Sequence, residues 1–69
     1  MYDVFHIPGF VFSKIRIATV PSIEEGVKIL KTLNPGFEIM ETEDDEHGAV
    51  DYLLFKGSEA VQYAIEPTA

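Results

Sequence analysis

One stretch of this chain, residues 21–36 (PSIEEGVKILKTLNPG), has the pattern of an amphipathic helix and organises the prediction for the rest. Its apolar residues recur at the spacing of one helical face: Ile23, Val27, Leu30 and Leu33. Ser22 is placed to accept a hydrogen bond from the Glu25 N–H, with the Glu25 side chain reaching back to the Ser22 N–H. We predict a helix over about residues 22–33, ended by Asn34 in a left-handed conformation and by the proline and glycine that follow.

Gly26 interrupts this helical pattern. Glycine in a helix interior costs about 1 kcal/mol relative to alanine, so its presence needs a reason. We interpret Gly26 as a point where the helix approaches a strand closely, with a functional hinge as the alternative.

The segments on both sides of the helix have the composition and alternation of strands. Five are predicted, at residues 2–7, 10–20, 37–42, 50–56 and 60–66. A helix is the alternative for the last segment because Ser58 could cap it, but the alternation of Val61, Tyr63 and Ile65 favours a strand. The segment 43–48 (EDDEHG) is predicted to be a solvated loop because it is too charged to be buried.

These elements follow the order ββαβββ, which predicts an α+β, two-layer fold with one helix packed on one face of a mostly antiparallel sheet. A length of 69 residues suggests one domain with one small core and no linker. We expect Ile15 and Ile17 to face the helix. The predicted core is Ile15, Ile17, Ile23, Val27, Leu30, Leu33, Phe37, Ile39, Leu54, Val61, Tyr63 and Ile65.

The helix would leave the second face of the sheet uncovered. The alternation places four large apolar residues there, beside charged ones: Phe12, Met40, Leu53 and Phe55. Several exposed apolar side chains together are typical of an interface. They therefore predict a homodimer or partner-binding face, unless another segment folds over them or the phase of a strand differs.

The charge of the chain is concentrated in its second half. The net charge is −7, and residues 34–69 hold nine acids and one lysine, whereas residues 1–33 hold three acids and four cations. Such a field repels phosphate backbones and anionic lipid, which argues against direct binding to nucleic acid or membranes, but it suits a basic protein partner. The candidate partner-binding residues are Glu38, Glu41, Glu43, Asp44, Asp45, Glu46 and Asp51.

No motif in the chain indicates catalysis, a metal site or a cofactor. An EF-hand reading that starts at Glu43 fails at its twelfth position, which is Leu54 instead of glutamate. The two histidines, His6 and His47, lack zinc-site spacing, and there is no cysteine nucleophile or phosphate-binding glycine loop. We therefore predict a non-enzymatic protein without metal or cofactor.

The absence of cysteine and of any long apolar run fits a cytoplasmic protein without a membrane segment. Taken together, the sequence predicts a small acidic protein-interaction module. It would be a regulator or inhibitor, of which phage-type inhibitors are one example, that binds a larger protein with a basic surface. The alternative is a structural homo-oligomer or a small-ligand-binding module that uses the helix-free face of the sheet.

Overall fold

The structure is a computed structural model, and it describes residues 1–9, 13–44 and 46–68. The elements are β1 (Tyr2–Ile7), β2 (Ile15–Val20), α1 (Ile23–Leu33), β3 (Glu38–Asp44), β4 (Val50–Lys56) and β5 (Glu59–Pro67). The predicted ββαβββ order and α+β class are confirmed. Of the predicted second strand, residues 10–12 lie outside the described residues.

All five strands form one antiparallel sheet in the order β2-β1-β5-β4-β3. Helix α1 connects β2 at one edge of the sheet to β3 at the other. The last segment is a strand, as its alternation predicted, and it follows β4 through a tight turn in which Gly57 has a φ of 61°. That left-handed conformation favours glycine because it has no Cβ to clash with the backbone.

The start of α1 is capped as predicted, but only in one direction. The Glu25 N–H donates to Ser22 Oγ at 3.2 Å, whereas the Glu25 carboxylate accepts from Lys28 Nζ at 3.2 Å in place of the predicted return bond. The end of the helix also differs from the prediction. Asn34 has a φ of −129°, and the left-handed residue is Gly36, with a φ of 83°.

Asn34 instead caps the helix through its side chain. Its Nδ2 atom donates to the Leu30 carbonyl at 2.9 Å and to the Tyr63 hydroxyl at 3.0 Å. These two bonds tie the end of α1 to β5, because the first joins the Asn34 side chain to a carbonyl that also accepts from the Asn34 backbone N–H, and the second reaches a core residue of the sheet.

The core lies between α1 and the sheet. Its fully buried side chains are Val4, Leu30, Leu54 and Ile65. Gly26 is buried against them: a Cβ at this position would lie 2.7 Å from Ile65 Cδ1 and 3.3 Å from Val4 Cγ2. The interpretation of Gly26 as a close approach of helix to strand is therefore confirmed.

Three residues of the predicted core are exposed: Ile15 at 54%, Ile17 at 39% and Leu33 at 56%. In β2 the residues that pack into the core are Ala18 and Val20. Ile17 is the unpaired residue of a register shift between the pairs Val4–Ala18 and Phe5–Arg16. Ile15 pairs with His6, on the same face of the sheet as Val4, but it lies at the end of the strand, outside the core. At the end of α1, the side that faces the sheet is formed by Leu30 and the half-buried Asn34. Leu33 lies next to this side of the helix and is exposed.

Candidate functional site

The acidic residues of the second half of the chain lie mainly along β3, which is an edge strand. Four of its seven residues are acidic and exposed, and we call them the acidic edge: Glu38, Glu41, Glu43 and Asp44. The loop predicted at residues 43–48 begins later than expected: Glu43 and Asp44 continue the strand and pair with Asp51 and Val50, whereas residues 46–48 lie in a turn. An edge strand tolerates such charges because one of its sides remains in water.

The acidic edge presents carboxylates on both faces of the sheet. Glu41 pairs with the core residue Tyr52 and therefore lies on the helix-covered face, as does Asp44. Glu38 and Glu43 lie on the helix-free face. The register of β3 shifts between Glu41 and Glu43, so the strand bends at Thr42, as edge strands often do at a bulge.

No lysine or arginine among the described residues forms an ion pair with the acidic edge. The described cationic pairs lie elsewhere: Lys14 contacts Glu66 at 2.6 Å, and Lys28 contacts Glu25 at 3.2 Å. Lys14 also lies over the Phe5 ring, 4.5 Å from its centroid, and belongs with Arg16 to the opposite side of the sheet.

The backbones of the two edge strands are four strand spacings apart, or about 19 Å. For Arg16 on β2, this distance exceeds the Debye length of about 8 Å at physiological ionic strength. Lys14 precedes β2, but its ammonium group reaches Glu66 on β5, two strands from β3.

Tyr52 shows the effect of this field inside the protein. Its burial, together with the neighbouring carboxylates of Glu41 and Asp44, raises the pKa of its hydroxyl. Burial removes water that would solvate the phenolate, and the two carboxylates repel its negative charge. Tyr52 is a core residue, so we regard the shift as a consequence of the acidic edge and not as a sign of catalysis.

The remaining residues of the predicted acidic surface surround the acidic edge. Asp51 is half-buried on the helix-free face opposite Glu43, and a cleft of about 310 Å³ lies between these two residues, Ala49 and Glu66. Glu46 is exposed in the loop, 3.8 Å from His47 Nε2, and Asp45 lies outside the described residues. In the described ranges, no three histidine, cysteine, aspartate or glutamate side chains are grouped so as to hold a metal ion.

The predicted apolar residues lie together on the helix-free face, except for Phe12, which is outside the described residues. Met40 on β3 is directly opposite Leu53 on β4, and Phe55 lies two residues further along that strand. Across β5, Gln62 pairs with both Leu53 and Ile7. We call Ile7, Leu53 and Met40 the apolar row.

Ile7 and Gln62 were missing from the predicted site. The sequence placed both residues in strands, but only the pairing of β1 with β5 shows that they are neighbours of Leu53. Both line an open cleft of about 640 Å³, together with His6, Pro8, Gly9, Leu53, Ala60 and Val61. The apolar row ends at Met40, which is 48% exposed between Glu38 and Glu41, so the predicted acidic and apolar surfaces meet on β3.

Comparisons of the chain with protein-family models, with curated proteins and with solved structures gave no match. In the described parts of the chain, no helix is long and apolar enough to cross a membrane. The acidic edge and the apolar row together form an exposed surface, with carboxylates in water beside apolar side chains.

Proposed function

We propose that this chain is a small, acidic, non-enzymatic protein-interaction module that binds a larger partner protein with a basic surface. The observation that supports this function is the acidic edge, where four exposed carboxylates on one strand have no cationic partner among the described residues. Bringing cationic side chains to this edge would relieve repulsion that the chain itself leaves uncompensated.

The charge of the acidic edge also indicates that the partner has a basic surface. Long-range attraction between opposite charges raises the rate of encounter and discriminates against acidic surfaces, including nucleic-acid phosphates and anionic lipid headgroups. We therefore propose a regulator or inhibitor that acts in the cytoplasm on a basic surface of a larger protein, such as a groove that otherwise holds nucleic acid. A phage-type inhibitor is one instance of this class.

Affinity capture from a cytoplasmic extract, followed by mass spectrometry, tests this proposal. The informative variant is Glu41→Gln/Glu43→Gln, and its matched control is Glu24→Gln/Glu25→Gln, which removes two exposed charges on α1, a helix that does not pack against β3. We expect the wild-type chain and the control to retain the same basic protein, and the β3 variant to lose most of it. Raising the salt concentration several-fold should release the protein from all three.

Two results would contradict the proposal. One is capture that is equal for the β3 variant and its control, since the acidic edge would then be irrelevant. The other is capture that is insensitive to salt, because an electrostatic interface between exposed charges is screened by ions.

The apolar row supports a second candidate function, a homo-oligomer or a small-ligand-binding module. Two of its residues, Ile7 and Leu53, border the open cleft of about 640 Å³, and the third, Met40, exposes nearly half of its surface. Self-association through this face would, however, bring Glu38, Glu43 and Asp51 of two copies close together, which like-charge repulsion opposes. Light scattering at micromolar concentration tests self-association, and a saturable thermal shift with a defined apolar molecule tests ligand binding.

A further inference from the structure

The two edges of the sheet differ in how open they are. Helix α1 packs against β2, β1 and β5, so the β2 edge has a helix beside it. Strand β3 contacts β4 extensively, and no other described element makes more than a marginal contact with it. The outer side of β3 therefore exposes unpaired N–H and C=O groups of alternate residues, which can bind another strand.

The first four residues of β3 give this open edge a distinct side-chain pattern. They are Glu38, Ile39, Met40 and Glu41, and they precede the register shift at Thr42. Glu38 and Met40 point to the helix-free face, while Ile39 and Glu41 point to the helix-covered face. Ile39 packs against the core and Met40 belongs to the apolar row, so each face offers one acidic and one apolar neighbour.

A strand added beside β3 would meet these side chains one by one, because residues directly opposite each other in a sheet lie about 5 Å apart on the same face. Opposite Glu38 and Glu41 a cationic residue is favoured, and opposite Ile39 and Met40 an apolar one. The favoured order is cationic, apolar, apolar, cationic. This order is the same in both directions, so it holds for parallel and antiparallel addition.

We propose that the outer edge of β3 binds an extended segment of the partner as a sixth strand, and that this segment has the order cationic, apolar, apolar, cationic. The inference rests on the proposed function and specifies how the basic partner is bound. It unites the two predicted surfaces, because the cationic residues would contact the acidic edge while one apolar residue would extend the apolar row.

A second copy of this chain is a poorer occupant of the edge. Pairing of two β3 strands would place acids beside acids, which is unfavourable in a sheet. The opposite edge has the order Lys14, Ile15, Arg16, Ile17, which alternates cationic and apolar residues and does not match the favoured pattern. Addition of β2 to β3 would also be head-to-tail, and such contacts form open chains of copies unless the rotation closes a ring.

Four synthetic peptides of eight residues test the proposal with the full chain. One has two lysines around two valines, flanked by serine and threonine, and the second has the same composition in scrambled order. The other two match the first but carry a single N-methyl group, on the first valine in one peptide and on the second valine in the other. Because N–H groups alternate between the two sides of a strand, only one of these methyl groups would face β3.

Calorimetry at low salt should show that the patterned peptide binds at least about tenfold more tightly than the scrambled one, a difference of about 1.4 kcal/mol. One N-methylated peptide should bind like the parent, and the other should lose at least about tenfold in affinity. The Glu41→Gln variant should bind the patterned peptide several-fold more weakly, whereas Glu24→Gln, a change on α1, should leave its binding unchanged. Amide exchange of β3 should slow when the patterned peptide is bound.

Equal affinity for all four peptides would overturn the added strand, since charge alone would then explain binding, and it would leave the proposed function intact. Failure of every peptide to bind would also overturn the added strand. If the affinity capture still depends on Glu41 and Glu43, the acidic edge binds its partner in another way. If the capture fails as well, both proposals are wrong.

Discussion

Replacing Gly26 with alanine tests the closest contact between the helix and the sheet. In an exposed helix this change would stabilise the fold by about 1 kcal/mol, because alanine is the better helix former. Here the new Cβ would lie 2.7 Å from Ile65 Cδ1, closer than carbon atoms can approach, and 3.3 Å from Val4 Cγ2. Both neighbours are fully buried, so any shift of the Ile65 Cδ1 methyl group must be accommodated by the packed core around it.

The two effects oppose each other, and their magnitudes decide the sign. Forcing one extra carbon into a packed core costs about 1–3 kcal/mol. Subtracting the gain in helix propensity of about 1 kcal/mol leaves Gly26→Ala destabilising by about 1 kcal/mol. For a chain of this size, 1 kcal/mol corresponds to a decrease in Tm of about 4–8 °C. Urea denaturation followed by circular dichroism would measure the free energy of unfolding.

A double-mutant cycle with Ile65→Val identifies the cause. Alone, Ile65→Val should cost about 0.5–1.5 kcal/mol because it removes a buried methyl group. In the Gly26→Ala background the same change removes the clashing Cδ1 atom, so it should cost almost nothing, giving a coupling energy of about 1 kcal/mol. The proposed packing would be refuted if Gly26→Ala stabilised the chain, or if the two changes were additive.

Three further predictions concern the helix end and the acidic edge. Asn34→Ala should lower the free energy of unfolding by about 1–2 kcal/mol, because two part-buried hydrogen bonds from its amide are lost; an unchanged urea midpoint would contradict this. Glu43→Lys should raise stability by about 0.5 kcal/mol, since Glu43 lies directly opposite Asp51, with Glu46→Lys in the exposed loop as the control for net charge. The pKa of Tyr52 is raised in the folded state, so the protonated hydroxyl contributes to the free energy of unfolding. This contribution should be complete below the unfolded pKa of about 10 and should be lost as the pH rises through the folded pKa. Denaturation at alkaline pH should therefore show a smaller loss of stability in Tyr52→Phe than in the wild-type chain, and equal losses would refute the shift.

The Glu43 prediction bears on function as well as on stability. A residue that destabilises the fold where it stands is typical of binding surfaces, which trade stability for activity. If Glu43→Lys stabilises the chain and also abolishes capture of the basic partner, then Glu43 lowers the stability of the fold through its repulsion with Asp51 and is needed for binding. If it does neither, the acidic edge is only a solvated strand.

The sequence could predict which residues of one strand share a face, but not which residues of different strands are neighbours. Alternation within residues 50–56 put Leu53 and Phe55 on one face and Leu54 on the other, and the structure has this arrangement. The sequence also placed Met40 with Leu53 and Phe55. It could not give Ile7 or Gln62 as their neighbours, because β1 and β5 are far apart in the chain and their pairing depends on the whole sheet.

The errors in the predicted core have a related cause. Ile15 and Ile17 have the alternation of a regular strand, but Ile17 is the unpaired residue of a register shift, and Ile15 lies at the end of the strand, outside the core. A bulge adds a residue to one strand only, so it is defined by the partner strand and leaves no reliable trace in local periodicity. The loop predicted at residues 43–48 also began too early in the sequence. The charge of Glu43 and Asp44 is compatible with a strand whose outer side is in water, and only the tertiary structure shows that β3 is such a strand.

The sequence by itself determined the type and order of the six elements, the N-cap at Ser22, the close approach at Gly26 and the uneven distribution of charge. These features depend on residues that are near one another in the chain, whose spacing records which side is buried. Only the tertiary structure decided which strands form the edges of the sheet. Strand order is a matter of long-range pairing, and it is this pairing that gives β3 an open side and places β2 at the opposite edge, about 19 Å away.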